Sequence, residues 1–361
     1  MELLQKTLSE IAPLDAGAMD AASARIHNLT MPTWALGRLC DLGVRLSGIA
    51  GKMPPPVERR TIVVMAGDHG VVAEGVSPQR SKVTQQMVSN MAAGGAGVNV
   101  LARQNDTRVL LADFGMLERD EELVRQGKLI DCNVGKGTAN MAKGPAMSRT
   151  DAVKAVENGI ALAHRLANET DVFGTGEMGI GNTTPATAIA AALTGQSPEL
   201  LIGPGAGLPR EAMGHKLQVI KDVLEMHKPD PADAIDILSK VGGYEIGGIA
   251  GLVLGAASRR KPVLVDGFIS TSGAMLACAL CPEAKSYVIL AHASAEPGHA
   301  MMCEWLEQRP LLMLDMRLGE GTGAAMAVNI VAAAQRILTE MATFGGAGVE
   351  VEGIHRPLER T

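Results

Sequence analysis

TIVVMAGDHG, residues 61–70, decides the fold. It is an unbroken β-branched and aliphatic run closed by a glycine and two polar residues, the pattern of a strand buried on both faces. Five more runs repeat it: RVLLADFG (108–115), DVFGTGE (171–177), KPVLVDG (261–267), SYVILAHAS (286–294) and LLMLDMRLGE (311–320). Longer helical patterns stand between them. Val83, Met87 and Met91 recur at four-residue spacing, and Ser148 precedes Asp151 as S-x-x-D at the head of a helix over 152–166. Strands alternating with helices predict an α/β fold with a doubly wound, mainly parallel sheet of Rossmann-like type.

Upstream of that sheet, residues 1–60 read as helices. Leu36, Leu39, Val44 and Leu46 fall near helical spacing over 33–49, and Pro54, Pro55 and Pro56 close the unit as a stiff connector. The α/β part is expected to occupy 61–325, followed by a helix and polar tail over 326–361, of which 348–361 is expected to fray.

Of 361 residues, 42 are Gly and only eight are aromatic: 4 Phe, 2 Tyr and 2 Trp. The chain is 47% hydrophobic and 20% charged, so it has a core to bury and disorder of the whole is excluded. Its net charge of -6 argues against a nucleic-acid surface, and so few aromatics argue against base stacking. The start MELLQKTLSEIAPLD lacks the basic, apolar and small-residue sequence of an export signal, and the uncharged stretch 178–198 is broken by Asn182, Thr183, Thr184, Pro185 and Gln196. A cytoplasmic protein with no membrane span is expected. Five scattered cysteines make no disulfide framework; Cys278 and Cys281 of CALC read as buried thiols rather than zinc ligands.

In a doubly wound sheet the ligand crevice lies beyond the carboxyl ends of the strands. The residues that close the runs are therefore the site candidates: Asp68, His69, Glu177, Asp266, His292, Ser294, Glu296 and Glu320. Carboxylates gathered on such a rim suit acid, base or cation-stabilising work, because partial burial raises their pKa values.

Two glycine-rich turns fit phosphate. GPGAGLPR (203–210) leads into a helix with Lys216 one or two turns on, and GEMGIGNTTPA (176–186) places Asn, Thr and Pro at a helix start. Neither has the Gly-Lys-Ser/Thr ending of a P-loop. GTGEMG (174–179) formally fits a dinucleotide fingerprint, but no acidic residue ends a strand some twenty positions later. A structural turn, a dinucleotide oxidoreductase and a non-catalytic nucleotide binder remain alternatives on these residues alone. Asp68 and His69 in GDHG offer a metal or proton-relay role beside the plainer one of a loop histidine. RLGEGTGAA (317–325) holds Glu320 between two glycines at a helix start, where a flat ligand can approach and a half-buried carboxylate can take a proton.

GDHGVVAEGVSP, KGTANMAKGPAMSR, FGTGEMGIGNTTPA, IDILSKVGGYEIGGIAGLVLGAA, PVLVDGFISTSGA, HASAEPGH and RLGEGTGAA, in this order, resemble the nicotinate-nucleotide:dimethylbenzimidazole phosphoribosyltransferases from about residue 30 to about residue 340. The resemblance implies transfer of ribose 5-phosphate from nicotinate mononucleotide to 5,6-dimethylbenzimidazole with β-to-α inversion, giving α-ribazole 5′-phosphate and nicotinate for the cobalamin nucleotide loop. It implies Glu320 as catalytic base and Glu177 as a second carboxylate that stabilises positive charge on the ribosyl centre or positions the ribose. Phosphate and ribose contacts fall on Met178, Gly179, Gly205, Lys216 and Ser294. Ser77, Gln79 and Met87 fall on the base pocket, where some relatives have Ser and Gln at the positions of Gln79 and Met87; the shortage of aromatics adds the expectation that aliphatic side chains such as Met87 and Leu318 hold the flat base. The resemblance further implies small-molecule substrates with no cofactor and no metal, a small helical domain built from both chain ends, and a homodimer.

Overall fold

The computed structural model describes residues 1–350; the expected tail thus lies almost wholly outside the described residues. Six parallel strands form one sheet in the order β3-β2-β1-β4-β5-β6, with β1 Arg60–Gly67, β2 Arg108–Gly115, β3 Leu129–Asp131, β4 Val172–Met178, β5 Val263–Val265 and β6 Val288–Leu290. This is the doubly wound order expected of the 61–70 pattern, with the switch point between β1 and β4. Ile62, Val63, Val64 and Met65 are all buried, so both faces of β1 are covered. Val63 and Met65 join the core cluster that includes the helices Arg149–Leu166 and Tyr244–Ser258, whereas Ile62 and Val64 face a second cluster with Val88, Met91 and Val98.

The close packing behind β1 explains part of the glycine content. In the helix Tyr244–Ser258 an added Cβ on Gly251 would lie 2.9 Å from the Cα of Gly159, and one on Gly255 2.7 Å from the Cβ of Ala163. Small residues let this helix and Arg149–Leu166 approach backbone to backbone. Ser148 caps the latter as expected, its Oγ accepting from Asp151 N–H at 3.0 Å.

Two local expectations differ. LLMLDMRLGE does not form a strand: it makes one isolated parallel bridge, His292 to Leu312, on the outer side of β6. A doubly buried strand needs cover on both faces, and Met313 and Leu314 are 74% and 53% exposed. The sixth strand is instead Leu129–Asp131, whose three residues are too few to show a period. At the other end, the helix expected over 33–49 begins only at Arg38, after a turn in which Trp34 and Gly37 take positive φ.

The helix Thr322–Glu340 joins the sheet to the N-terminal helices. Its first half packs Ala324, Ala327 and Val328 against Leu264 and Ile289 of the sheet; near its end Leu338 meets Ala22, Ile26, Leu29 and Cys40. Arg25 donates to the carbonyls of Leu338 and Met341, satisfying acceptors that the helix end leaves open. The helix Glu2–Glu10 packs Leu4 into the main core. Cys278 and Cys281 are buried free thiols.

Candidate active site

A cavity of about 440 Å³ opens beyond the carboxyl ends of β1, β4, β5 and β6. Of the residues expected from sequence, Glu177, Met178, Gly179, Gly205, Ser294, Gln79, Met87, Leu318 and Glu320 all line it. Lys216 stands behind its wall, bonded to Thr183 and to the Gly203 carbonyl. Ser77 lies on adjoining depressions, and its Oγ accepts from Gln79 N–H at 3.2 Å in a local turn.

Glu320 follows Gly319 and precedes Gly321, and all three have positive φ: +82°, +63° and +92°. A glutamate in the left-handed region costs on the order of 1 kcal/mol, so the surroundings hold this turn against its own preference. They do so from below: a Cβ on Gly176 of β4 would fall 2.5 Å from the Glu320 carbonyl oxygen. The Glu320 side chain is 5% exposed, and its Oε2 accepts from Val98 N–H at 3.3 Å, at the start of the helix Gly97–Gln104. Burial pushes its pKa up; the Val98 and Gly97 N–H groups pull it back and Asp266 adds to the rise.

Glu177 is buried to a similar extent. Burial, with the nearby Asp266 carboxylate, raises its pKa to about 8, although Asn182 Nδ2 donates to its Oε2. Asp266 is committed to structure. Its carboxylate accepts from the N–H groups of Gly321, Gly323 and Ala324 at 3.1, 2.6 and 3.1 Å, holding the first turn of Thr322–Glu340. His292 Nε2 lies 3.7 Å from it.

Opposite the carboxylates, Lys216 is fully buried, and its Nζ donates to Thr183 Oγ1 at 2.8 Å and to the Gly203 carbonyl at 2.9 Å. Burial lowers its pKa to about 8 against the pull of Glu296. This buried cation stands beside the Gly205 turn, whose φ is +55°, and shares that end of the cavity with the Glu296 carboxylate. Phe268, Ile269, Val83, Met87 and Leu318 supply an apolar lining elsewhere.

His69 pairs with a side chain rather than with backbone. It is buried and bonded through Nε2 to Glu245 Oε1 at 2.8 Å; burial disfavours its charge, but Glu245 prevails and its pKa is raised. Asp68 Oδ2 accepts from Leu117 N–H at 2.8 Å. Among the described residues no three His, Cys, Asp or Glu side chains are grouped to hold a metal ion. The formal dinucleotide fingerprint 174–179 lies mostly inside β4, with no turn in which to cradle a pyrophosphate.

Sequence reading misses the supports: Gly97 and Val98 under Glu320, and Thr183 under Lys216. Asn182 and Thr183 stand in a visible polar cluster, but which side chain each holds depends on long-range packing. AAGGAGV (92–98) carries the one legible signal for the other support, glycines before a helix start.

A family model described as Phosphoribosyltransferase matches residues 11–349. The nicotinate-nucleotide–dimethylbenzimidazole phosphoribosyltransferase of Desulfotalea psychrophila is 53% identical over 345 residues, 95% of this chain and 97% of that one. Its counterpart from Syntrophotalea carbinolica is 51% identical over 349 residues, 97% and 99%. A crystal structure of the enzyme of that name from Thermus thermophilus superposes with a TM-score of 0.87 at 39% identity, covering 94% of this chain and 100% of that chain.

Proposed function

This chain belongs to the nicotinate-nucleotide–dimethylbenzimidazole phosphoribosyltransferase family, and from that membership we infer that it moves ribose 5-phosphate from nicotinate mononucleotide to 5,6-dimethylbenzimidazole. The products are α-ribazole 5′-phosphate, used in the cobalamin nucleotide loop, and nicotinate. One observation carries the assignment of this reaction to the cavity: buried carboxylates, Glu177 and Glu320 among them, and the buried cation Lys216 flank a mainly apolar space of about 440 Å³.

In the proposed arrangement the nucleotide phosphate sits against Gly205, Met178, Gly179 and Ser294, with the Lys216 charge behind them. The dimethylbenzimidazole lies between Met87 and Leu318 near Gln79. A ring nitrogen of the base attacks C1′ on the face opposite nicotinate, and the C1′–N bond breaks with its electron pair going to the nicotinate nitrogen. Because that nitrogen was a cationic pyridinium, the leaving group departs without a general acid or metal. Bond formation makes the remaining benzimidazole N–H acidic, and Glu320 takes the proton. Glu177, once ionised, stabilises the positive charge that builds at the ribosyl centre. Attack from the opposite face turns the β linkage into α.

In this reading residues 1–60 and the helix that follows 325 form the small helical part around 61–325, the protein is cytoplasmic, and it works as a homodimer. No helix among the described residues is long and apolar enough to cross a membrane. Incubating the purified protein with nicotinate mononucleotide and dimethylbenzimidazole, and reading the anomer by NMR, tests the reaction. α-Ribazole 5′-phosphate is the expected product; folded protein that yields none, or yields the β anomer, contradicts it.

A further inference from the structure

Glu296 occupies the place assigned above to the nucleotide phosphate. Its Oε1 accepts from Gly205 N–H at 3.2 Å, and its own backbone N–H donates to Ser294 Oγ at 3.3 Å. The residue is 4% exposed and lines the cavity, yet its Oε2 is buried with no hydrogen-bond donor. An ionised oxygen left unpartnered in such a place forfeits its hydration with nothing in return, so the arrangement lacks a component. The side chain is also closely enclosed: Gly203 leaves no room for a Cβ beside Oε2, and Pro297 closes the same side.

A phosphate arriving at Gly205 and Ser294 would meet this carboxylate directly. Lys216 and Arg317 together cannot neutralise a phosphate dianion and a carboxylate side by side in a buried cradle, and two such acids settle by sharing a proton. We propose that nicotinate mononucleotide binds with uptake of one proton from solution, held between the Glu296 carboxylate and a phosphate oxygen, so that Glu296 becomes a hydrogen-bond donor of the phosphate subsite. A proton on Oε1, the oxygen turned to Gly205, neutralises the enclosed carboxyl and gives the phosphate a donor that only an acid can supply. This rests on the placement of the phosphate proposed above.

Burial supports the protonated form of Glu296 against the groups that face it. Lys216 on Met213–His227, the Gly205 N–H and Arg317 favour its ionised form, and burial outweighs them to raise its pKa. His299, whose backbone N–H donates to the Glu296 carbonyl, has its ring pKa pushed down to about 3 by burial and His292, and so stays neutral. His292 lines the cavity beside Asp266, and Glu177 and Glu320 line it too.

Calorimetric titration with nicotinate mononucleotide near pH 7, in buffers of different ionisation enthalpy, counts the protons taken up. Lys216 is then largely charged, since its pKa is about 8. About one proton per nucleotide is expected for the native protein and for Glu296→Asp, about zero for Glu296→Gln, and about zero for the native protein with nicotinate riboside, which has no phosphate. Glu296→Gln should still bind the nucleotide, because its amide can donate without a proton from solution. Equal uptake by the native protein and Glu296→Gln, or none in either, overturns the proposal. Equal affinity for nucleotide and riboside would instead remove the phosphate from this end of the cavity.

Discussion

The carboxylate of Glu320 accepts a hydrogen bond from Val98 N–H at 3.3 Å, and this ties the proposed base to the first turn of Gly97–Gln104. Burial raises its pKa above the ordinary glutamate value, and the N–H groups of Val98 and Gly97 oppose that rise by favouring the ionised form that can take a proton.

The Glu320 turn is propped from the sheet, so its position should be breakable at a residue that touches no substrate. A methyl group added at Gly176 would lie 2.5 Å from the Glu320 carbonyl oxygen and 2.8 Å from its carbonyl carbon. Gly176→Ala is expected to lower kcat at least ~10-fold and stability by roughly 1–3 kcal/mol. Steady-state kinetics on the folded variant, beside thermal melting, check this; an unchanged kcat would mean that the turn tolerates displacement.

Glu177 should show itself in the alkaline range. Its folded-state pKa is raised to about 8, so the stability it contributes is complete below the ordinary glutamate range and is lost as pH rises through about 8. Glu177→Gln has no proton to lose. Relative to the native protein it should gain roughly 2–5 kcal/mol in stability between about pH 5 and about pH 9, read from denaturant midpoints. Its kcat should fall ~10-fold or more while the KM for nicotinate mononucleotide changes little, as expected for a charge that acts on the transition state.

Lys216 has no carboxylate partner within hydrogen-bond reach among the described residues: its Nζ is bonded to Thr183 and the Gly203 carbonyl. Its charge is therefore available to a bound anion. Lys216→Met should raise the KM for nicotinate mononucleotide at least ~10-fold, about the effect of one charge-assisted contact, and leave binding of the dephosphorylated riboside unchanged. In the native protein the nucleotide KM should begin to rise above about pH 8, where this lysine deprotonates. A KM that stays flat through that range would separate Lys216 from phosphate binding.

The base end of the cavity is built from aliphatic groups, and its contribution can be measured one side chain at a time. Met87→Ala should weaken dimethylbenzimidazole by roughly 1–2 kcal/mol, a ~5- to 30-fold rise in its KM, with the nucleotide KM unchanged. Competition between dimethylbenzimidazole and a purine base, run on the same variant, shows whether Met87 and Gln79 set the choice of base.

What can be read from the chain follows from which signals are local. The doubly buried runs of β1, β2 and β4 announce the sheet, and strand ends announce Glu177, Ser294 and Glu296 as rim residues. The run 311–320 misleads because hydrophobicity alone does not say which neighbours will cover it; it lies on the outer side of β6 with Met313 and Leu314 in water. The three residues of β3 give no period to detect. Glu320 is legible from its flanking glycines, but its support by Val98, 222 positions away, is a tertiary contact with no local trace. Lys216 is legible from its place one or two turns after the glycine loop, but its complete burial depends on how Met213–His227 meets the loop at Gly203.

The central claim is that Glu320 takes the proton released when dimethylbenzimidazole joins C1′. Replacing it by glutamine keeps the size of the side chain and removes the base. Measured at saturating nicotinate mononucleotide and dimethylbenzimidazole, with folding confirmed by circular dichroism, Glu320→Gln should turn over at least ~100-fold more slowly than the native protein. Turnover equal to the native rate would contradict the assignment and return the role of base to another group in the cavity.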